Sequence, residues 1–208
     1  MGRKWDKVKY ELRRHFSDAT AMNTFFTPIY AVMETQIAGM SNAVSINSRL
    51  FTAGVAYAGL ASLTKLRDAS KKFFGITRKT REFVKYAHDI GFAIGLVSVV
   101  KPSIYLLSGE TDWRKIAIGT GFGLALNAFA AGPALHFFDV HRDLMGVEKS
   151  ERMPGFLRKK SGKVKKLVAA GLLAASVGIS GTYYGLREMF SRKRDSGLGI
   201  ERVVEDCD

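Results

Sequence analysis

Two ionisable side chains lie deep inside long apolar segments of this sequence. Glu34 lies in the segment 19–40 and Lys101 in the segment 86–107. Charged groups within bilayer helices are costly, rarely face lipid and often mark transport pathways. Both residues fall about 15 positions into their segments, which at 1.5 Å per residue is roughly 22 Å. We therefore expect Glu34 and Lys101 to pair at similar depth, with Arg49 near enough to join them.

A second group of polar residues lies where the apolar segments meet strongly basic connections. Its members are Arg67, Asp68, His88, Asp89, His136, Asp139 and Arg142. Carriage of a zwitterion needs a cation for its carboxylate and an anion for its ammonium, and proton coupling needs a side chain that changes charge. We interpret Glu34, Lys101 and Asp89 as the main candidates for a substrate and proton pathway. The lesser candidates are Arg49, Asp68, Asp139 and Arg142.

The same residues have a static interpretation, which the sequence leaves open. Long side chains at a membrane boundary can extend to water, and Glu34 with Lys101 can form a fixed ion pair. The sequence contains no HExxH, no GxSxG and no glycine-rich phosphate loop with its lysine, so we expect neither enzymatic activity nor a cofactor. The single cysteine, Cys207, excludes a disulfide or a cysteine metal site within the chain.

Four apolar segments must position these side chains, and a fifth follows them. They cover residues 19–40, 48–64, 86–107, 116–138 and 167–186. Runs of about 20 mostly apolar residues are typical of bilayer-spanning helices. We predict an all-α fold, a polytopic transmembrane helix bundle with four core spans and a fifth C-terminal helix. The alternative for the fifth segment is a helix that packs at the inner membrane surface.

Charged stretches divide the rest of the chain. Residues 1–17 are basic, and their apolar residues recur at helical spacing, which is typical of a helix in the membrane interface; a plain charged leader is the alternative. Residues 18–147 are the predicted four-helix domain, 148–166 a basic cytoplasmic loop and 187–208 a charged tail. No cleavable signal peptide is recognisable, so we expect the first span to direct insertion.

Basic residues alternate between the connections. Residues 1–17, 65–85 and 141–166 hold 23 of the 32 lysines and arginines, whereas the turn 41–49 holds Arg49 alone. An excess of Lys and Arg marks the cytoplasmic connections of a membrane protein. We therefore expect a multi-pass protein of the cytoplasmic (inner) cell membrane with a cytoplasmic N-terminus. The net charge of +13 then reflects contact with membrane lipid, and we expect no nucleic-acid partner.

Glycines recur four positions apart within the apolar segments. The pairs are Gly91 and Gly95, Gly119 and Gly123, and Gly181 and Gly185. Such faces let helix backbones approach closely in lipid. Because four or five helices barely enclose a pathway, we predict a homo-oligomer that packs through these faces.

Several short motifs occur in an order that is similar to one family of membrane proteins. The first half contains DATAM at 18–22, Glu34, AGMS at 38–41, SRL at 48–50 and RD at 67–68. The second half contains HDI at 88–90, KPSIY at 101–105, GETDWRKI at 109–116 and GPALHFFDVHRDLMGV at 132–147. In their order and spacing these motifs resemble the L-alanine exporter family. The resemblance covers residues 18–147.

This resemblance implies a small inner-membrane exporter of L-alanine or a similar small amino acid, energised by the proton gradient. The exporters that it resembles have four spans and a short basic tail, whereas this chain adds about 60 residues after position 147. The alternative function is a non-transporting membrane scaffold whose basic segments recruit anionic lipid or a protein partner. Joint neutralisation of Glu34 and Lys101 should preserve function in a scaffold and abolish it in an exporter.

Overall fold

The computed structural model describes residues 2–77 and 80–205, and Cys207 lies outside them. The elements are α1 (Gly2–Val32), a π-helical turn (Met33–Ile37), α2 (Asn42–Phe73), α3 (Glu82–Leu107), α4 (Trp113–Leu144), the short α5 (Gly155–Arg158) and α6 (Gly162–Glu205). No strand occurs among the described residues. The prediction of an all-α fold is therefore confirmed.

The long helices form a bundle around α1. This helix packs against α2, α4 and α6, while α3 contacts both α2 and α4. The basic N-terminal residues continue into the first apolar segment without a break, because α1 is one helix from Gly2 to Val32 with Pro28 inside it. The amphipathic helix expected at residues 1–17 is thus the first half of α1, where Leu12 and Phe16 are exposed.

A tight turn joins the first apolar segment to α2. Gly39 has a φ of +69°, which side chains with a Cβ rarely adopt, and Met40 N–H donates to Glu34 O at 2.9 Å. The Ser41 side chain accepts a hydrogen bond from an N–H of the first turn and caps α2. As a result α2 begins at Asn42, earlier than the start at residue 48 predicted from hydropathy.

Length and hydropathy identify two helices among the described residues that are suited to cross a membrane. They are Glu82–Leu107, which is α3, and Gly162–Arg192, which is most of α6. A third is α4, if its pieces Trp113–Ala130 and Pro133–Leu144, which meet at 69°, form one bent span. Pro133 explains the bend, because proline lacks an N–H and its ring clashes with the preceding turn.

The helices α1 and α2 are not among these candidates in the described part of the chain. Their apolar segments contain polar side chains that are buried inside the bundle, such as Glu34, Thr35 and Ser48. These polar groups lower the hydropathy of the two segments. The structure thus shows two or three helices that are long and apolar enough to span a membrane, compared with the four core spans and fifth helix that the sequence predicts.

Ion pairs fasten three helices at one end of the bundle, which we call the Asp18 end. Arg142 of α4 donates to both carboxylate oxygens of Asp18 of α1, at 2.6 and 2.8 Å. Lys165 of α6 donates to Asp143 Oδ1 at 2.7 Å, and Ser150 N–H donates to Asp143 Oδ2 at 2.9 Å. The helices α1, α4 and α6 are therefore joined at this end.

The helix α6 also reaches the opposite end of the bundle, which we call the Glu34 end. There Arg187 donates to Asn42 Oδ1 at 2.7 Å and to Met40 O at 3.2 Å. About 22 positions separate Lys165 from Arg187, so α6 extends roughly 33 Å between the two ends. This length is close to the ~30 Å hydrocarbon thickness of a bilayer.

Candidate functional site

Glu34 lies in the π-helical turn at the end of the first apolar segment, and its side chain is 1% exposed. Turns of this kind are rare and occur frequently at functional sites, because the extra residue redirects a side chain. The redirected carboxylate lies between α2 and α3, where it meets donors from both helices. The turn therefore positions a buried acid at the centre of the bundle.

Four hydrogen bonds compensate this carboxylate for its removal from water. Ser45 Oγ of α2 donates to Glu34 Oε2 at 2.7 Å, and Ser48 Oγ shares its single proton between the same oxygen at 3.0 Å and Ser45 O at 2.9 Å. Arg49, also on α2, donates to Oε1. Tyr105 of α3 donates to the same oxygen at 2.9 Å. These donors occupy the acceptor positions of a carboxylate that is removed from water.

Lys101 lies beside this carboxylate. Its Nζ is 3.9 Å from Glu34 Oε1, and the atom is buried without a hydrogen-bond partner among the described residues. The Nζ lies 3.7 Å from the centroid of the Tyr30 ring, and the guanidinium carbon of Arg49 lies 4.6 Å from the same centroid. Tyr30 thus stabilises both cations through cation–π contacts.

Within the described site, one carboxylate faces two cations. Glu34 forms ion pairs with both Arg49 and Lys101, so a protonated Lys101 leaves one positive charge in excess. A buried ammonium that lacks hydrogen bonds is energetically unfavourable. The site is therefore suited to an anionic group that accepts hydrogen bonds from Lys101 and neutralises the excess charge.

A cavity of about 170 Å³ opens beside these cations, with walls from α1, α2, α3 and α4. Polar side chains on its walls include Asn23, Thr27, Thr52 and Asn127. Much of the remaining wall is apolar, with Val55 and Ile104 as examples. A mostly apolar cavity with a few convergent polar groups is the usual form of a small-molecule site.

Two glycines of α4 leave room for the side chains of this site. A Cβ at Gly119 would lie 2.9 Å from Met40 Cε and 3.1 Å from the Tyr105 ring. A Cβ at Gly123 would lie 3.3 Å from the Tyr30 hydroxyl. This glycine pair thus faces the interior of the bundle. No described atom lies within 4 Å of a Cβ built at Gly91, Gly95, Gly181 or Gly185.

The structure places Asp89 in a separate cluster. Asp89 accepts a hydrogen bond from Arg67 Nε at 3.0 Å and pairs with Lys71 at 2.9 Å, next to a contact of 2.9 Å between Ser70 and His88. About 12 positions separate Asp89 from Lys101, which is roughly 18 Å along α3. The three main candidates from the sequence therefore divide between two clusters, with Glu34 and Lys101 together and Asp89 apart from them.

The remaining candidates lie away from Glu34, except for Arg49. Asp139 and Arg142 belong to the Asp18 end, where Arg142 pairs with Asp18 and Arg152 Nη1 donates to Asp139 Oδ2 at 2.9 Å. The side chain of Asp68 is exposed and forms no hydrogen bond or ion pair within the described part of the chain. These side chains bind the helices to one another or face outward, and the Glu34 site does not include them.

Uncharged residues complete the site, and the sequence-based interpretation missed them. They are Tyr30, Ser45, Ser48, Tyr105 and Tyr184. Spacing offered a signal for three of them, because each lies four positions from a predicted residue on the same helix face. Tyr30 precedes Glu34, Ser45 precedes Arg49 and Tyr105 follows Lys101. No comparable signal existed for Tyr184, which comes from a distant helix.

Comparisons of the chain with protein-family models, with curated proteins and with solved structures found no match. The resemblance to L-alanine exporters thus rests on sequence motifs alone. Three residues within those motifs, Glu34, Arg49 and Lys101, form the buried charge cluster. The geometry of this cluster carries the functional inference.

Proposed function

We propose that this protein is a membrane carrier that exports L-alanine or a similar small amino acid in exchange for protons. The observation that carries the proposal is the Lys101 ammonium on the wall of the cavity, which has no hydrogen-bond partner among the described residues. An amino acid supplies a carboxylate for this cation and an ammonium for Glu34. The sequence motifs point to alanine within that class.

The size of the cavity supports a small substrate. An engineered cavity of about 150 Å³ in another protein holds benzene, which has six heavy atoms. The cavity beside Lys101 measures about 170 Å³, and alanine also has six heavy atoms. Apolar wall residues such as Val97 and Ile104 suit its methyl group and leave little room for a longer side chain.

Glu34 is suited to alternate between the substrate ammonium and a proton. When the substrate carboxylate contacts Lys101 and Arg49, the guanidinium shifts from Glu34 Oε1 and leaves space there for the ammonium. In the empty carrier, a proton from outside neutralises the same carboxylate. Because the ammonium and the proton exclude each other at one site, outward movement of the amino acid is coupled to inward movement of a proton.

We infer that α1 to α4 are four core spans and α6 a fifth, in the cytoplasmic membrane with a cytoplasmic N-terminus. The Asp18 end adjoins the basic connections and lies on the cytoplasmic side under the positive-inside rule. The roughly 33 Å that α6 extends between the two ends supports a full crossing. Exposed apolar side chains such as Val99, Phe129 and Leu167 contact lipid.

Transport is tested in cells that lack their own alanine exporter. The cells are loaded with an alanine dipeptide, which internal peptidases hydrolyse, and intracellular alanine is followed over time. We expect expression of the protein to lower intracellular alanine and to raise resistance to the dipeptide. Unchanged alanine and unchanged resistance, with the protein present in the membrane, would overturn the proposal.

A scaffold remains the second candidate, because Glu34 is saturated with hydrogen bonds, as expected of a static structural group. A variant that combines Glu34→Gln, Arg49→Met and Lys101→Met removes the carboxylate together with both of its cations, and it distinguishes the two functions. A static pair can often be replaced without loss, so a scaffold retains its function. A carrier loses transport completely while the protein still inserts into the membrane.

A further inference from the structure

The Glu34 end of α6 forms hydrogen bonds around the turn between α1 and α2. The Tyr184 hydroxyl lies 2.8 Å from Ser45 Oγ, and Asn42 Nδ2 donates to Tyr184 O at 3.2 Å. Arg187 donates to Asn42 Oδ1 at 2.7 Å and to Met40 O at 3.2 Å. The added C-terminal helix is therefore built into the shell around the candidate site.

The direction of the hydrogen bond between Tyr184 and Ser45 follows from counting protons. Ser45 has one hydroxyl proton, which it donates to Glu34 Oε2 at 2.7 Å. An ionised carboxylate has no proton to give, so Ser45 Oγ is left as an acceptor for Tyr184. The result is a chain in which Tyr184 donates to Ser45 and Ser45 donates to Glu34. When Glu34 is protonated, both bonds can reverse without movement of a heavy atom.

Arg187 acts on the backbone next to the same carboxylate. Its two terminal nitrogens donate to Met40 O at 3.2 Å and to Thr35 O at 3.3 Å. The last carbonyls of a helix have no partner within the helix, and Thr35 directly follows Glu34 in the π-helical turn. Arg187 thus holds the turn that sets the orientation of the Glu34 side chain.

We propose that α6 is a positioning helix for the Glu34 site, with Tyr184 and Arg187 as positioning residues. Tyr184 strengthens the donation from Ser45 that favours the ionised carboxylate, and Arg187 holds the backbone from which the carboxylate extends. The C-terminal extension then sets how readily Glu34 exchanges its proton. This inference deepens the proposed function and rests on it for its physiological meaning.

The test is carbodiimide labelling of Glu34 in membranes that contain the full-length protein. A membrane-permeant carbodiimide such as dicyclohexylcarbodiimide reacts with protonated carboxyl groups, and mass spectrometry locates the adduct. In Tyr184→Phe the hydrogen-bond chain from Tyr184 through Ser45 to Glu34 loses its first donor, so the protonated fraction of Glu34 increases. We expect labelling at neutral pH to be on the order of fivefold faster than in the unaltered protein, since a hydrogen bond contributes about 1 kcal/mol and about 1.36 kcal/mol corresponds to a tenfold change. Equal labelling in both proteins would overturn the inference.

Tyr183→Phe is the matched control, because it removes a hydroxyl from the adjacent position of the same helix. The Tyr183 hydroxyl contacts Thr35 Oγ1 at 2.6 Å, and that oxygen donates to Ala31 O at 2.7 Å, so this contact leads away from the Glu34 carboxylate. We expect labelling of Glu34 in this variant to match the unaltered protein. A general loosening of α6 would accelerate labelling equally in both variants and would contradict a specific role for Tyr184.

Transport kinetics provide a second readout for the same variants. We expect Tyr184→Phe to change the dependence of alanine export on external pH and to raise its KM, because a proton held more readily by Glu34 excludes the substrate ammonium from the same carboxylate. An export rate and pH profile equal to those of the unaltered protein would also count against the inference. Labelling does not depend on transport, so faster labelling of Tyr184→Phe in a protein without export would reject the proposed function and keep the positioning role.

Discussion

Lys101 Nζ and Glu34 Oε1 lie 3.9 Å apart, within ion-pair distance but beyond the reach of a hydrogen bond. The nearer positions around the carboxylate are occupied by Arg49, Ser45, Ser48 and Tyr105. Lys101 is therefore held beside an acid whose acceptor positions are already filled. Arg49 is thus the cation that donates directly to Glu34, whereas the ammonium of Lys101 has no hydrogen-bond partner among the described residues.

Replacement of Lys101 by methionine should abolish alanine export without loss of stability. Methionine has a similar volume and removes a buried charge that lacks a hydrogen-bond partner among the described residues. We expect the melting temperature of the purified protein in detergent to be unchanged or higher. Export is measured with the dipeptide-loading assay.

The control for this variant is Lys163→Met, since Lys163 is an exposed lysine at the start of α6. Its export should equal that of the unaltered protein. Full export by Lys101→Met would remove the lysine from the proposed mechanism.

Glu34→Gln should abolish export and should also destabilise the protein, in contrast to the lysine variant. The neutral amide leaves the buried Arg49 guanidinium without its ion-pair partner, and loss of one member of a buried pair costs about 3–5 kcal/mol. Thermal unfolding in detergent measures the loss, and carbonate extraction of membranes shows whether insertion is intact.

The double variant with Arg49→Met serves as the control for stability. It removes the carboxylate and the guanidinium together and leaves Lys101 as in Glu34→Gln alone, so the melting temperature should recover much of the loss while export stays absent. A stable, fully active Glu34→Gln protein would show that this carboxylate has no part in transport.

Gly119→Ala should weaken both the fold and the transport activity. The new methyl group would lie 2.9 Å from Met40 Cε and 3.1 Å from the Tyr105 ring. Met40 can rotate away, but Tyr105 is fully buried and donates to Glu34. We expect a loss of about 1–3 kcal/mol in the free energy of unfolding and a reduced export rate.

Gly121 lies two positions after Gly119, on the other face of α4, and provides the matched control. A Cβ at Gly121 meets no described atom within 4 Å, so Gly121→Ala should keep its stability and its export. Equal losses of stability and export in Gly119→Ala and Gly121→Ala would show that contact of the new methyl group with Met40 and Tyr105 is not their cause.

Gly95→Leu should reduce self-association without unfolding the single chain. Gly95 is exposed, and a Cβ built there meets no described atom within 4 Å. A homo-oligomer that packs through the face formed by Gly91 and Gly95 would be separated by the larger side chain. Chemical cross-linking in native membranes measures the effect.

Ala93→Leu is the control for this experiment, because Ala93 is also exposed but lies two positions from Gly91 and Gly95, on the opposite face of α3. Its cross-linking should match that of the unaltered protein. If efficient cross-linking of the unaltered protein yielded only monomers, the predicted homo-oligomer would be contradicted.

The sequence alone determined the helical class and the depth of the internal charges. An apolar segment of fixed rise per residue places Glu34 and Lys101 at the same depth before any packing is known, and the structure brings these two residues within 3.9 Å. Arg49 was expected near them and does pair with Glu34. These results follow from local rules, because hydropathy and helical rise depend on neighbouring residues only.

Tertiary structure decided which polar side chains share a site. Depth does not define the rotation of a helix about its axis, which is set by packing against its neighbours. That rotation brings Ser45, Ser48 and Tyr105 to Glu34, and it leaves Asp89 with Arg67. Tyr184 joins the site from the C-terminal helix because α6 packs along α1. Contacts between residues so far apart in the chain arise only when the helices pack against one another.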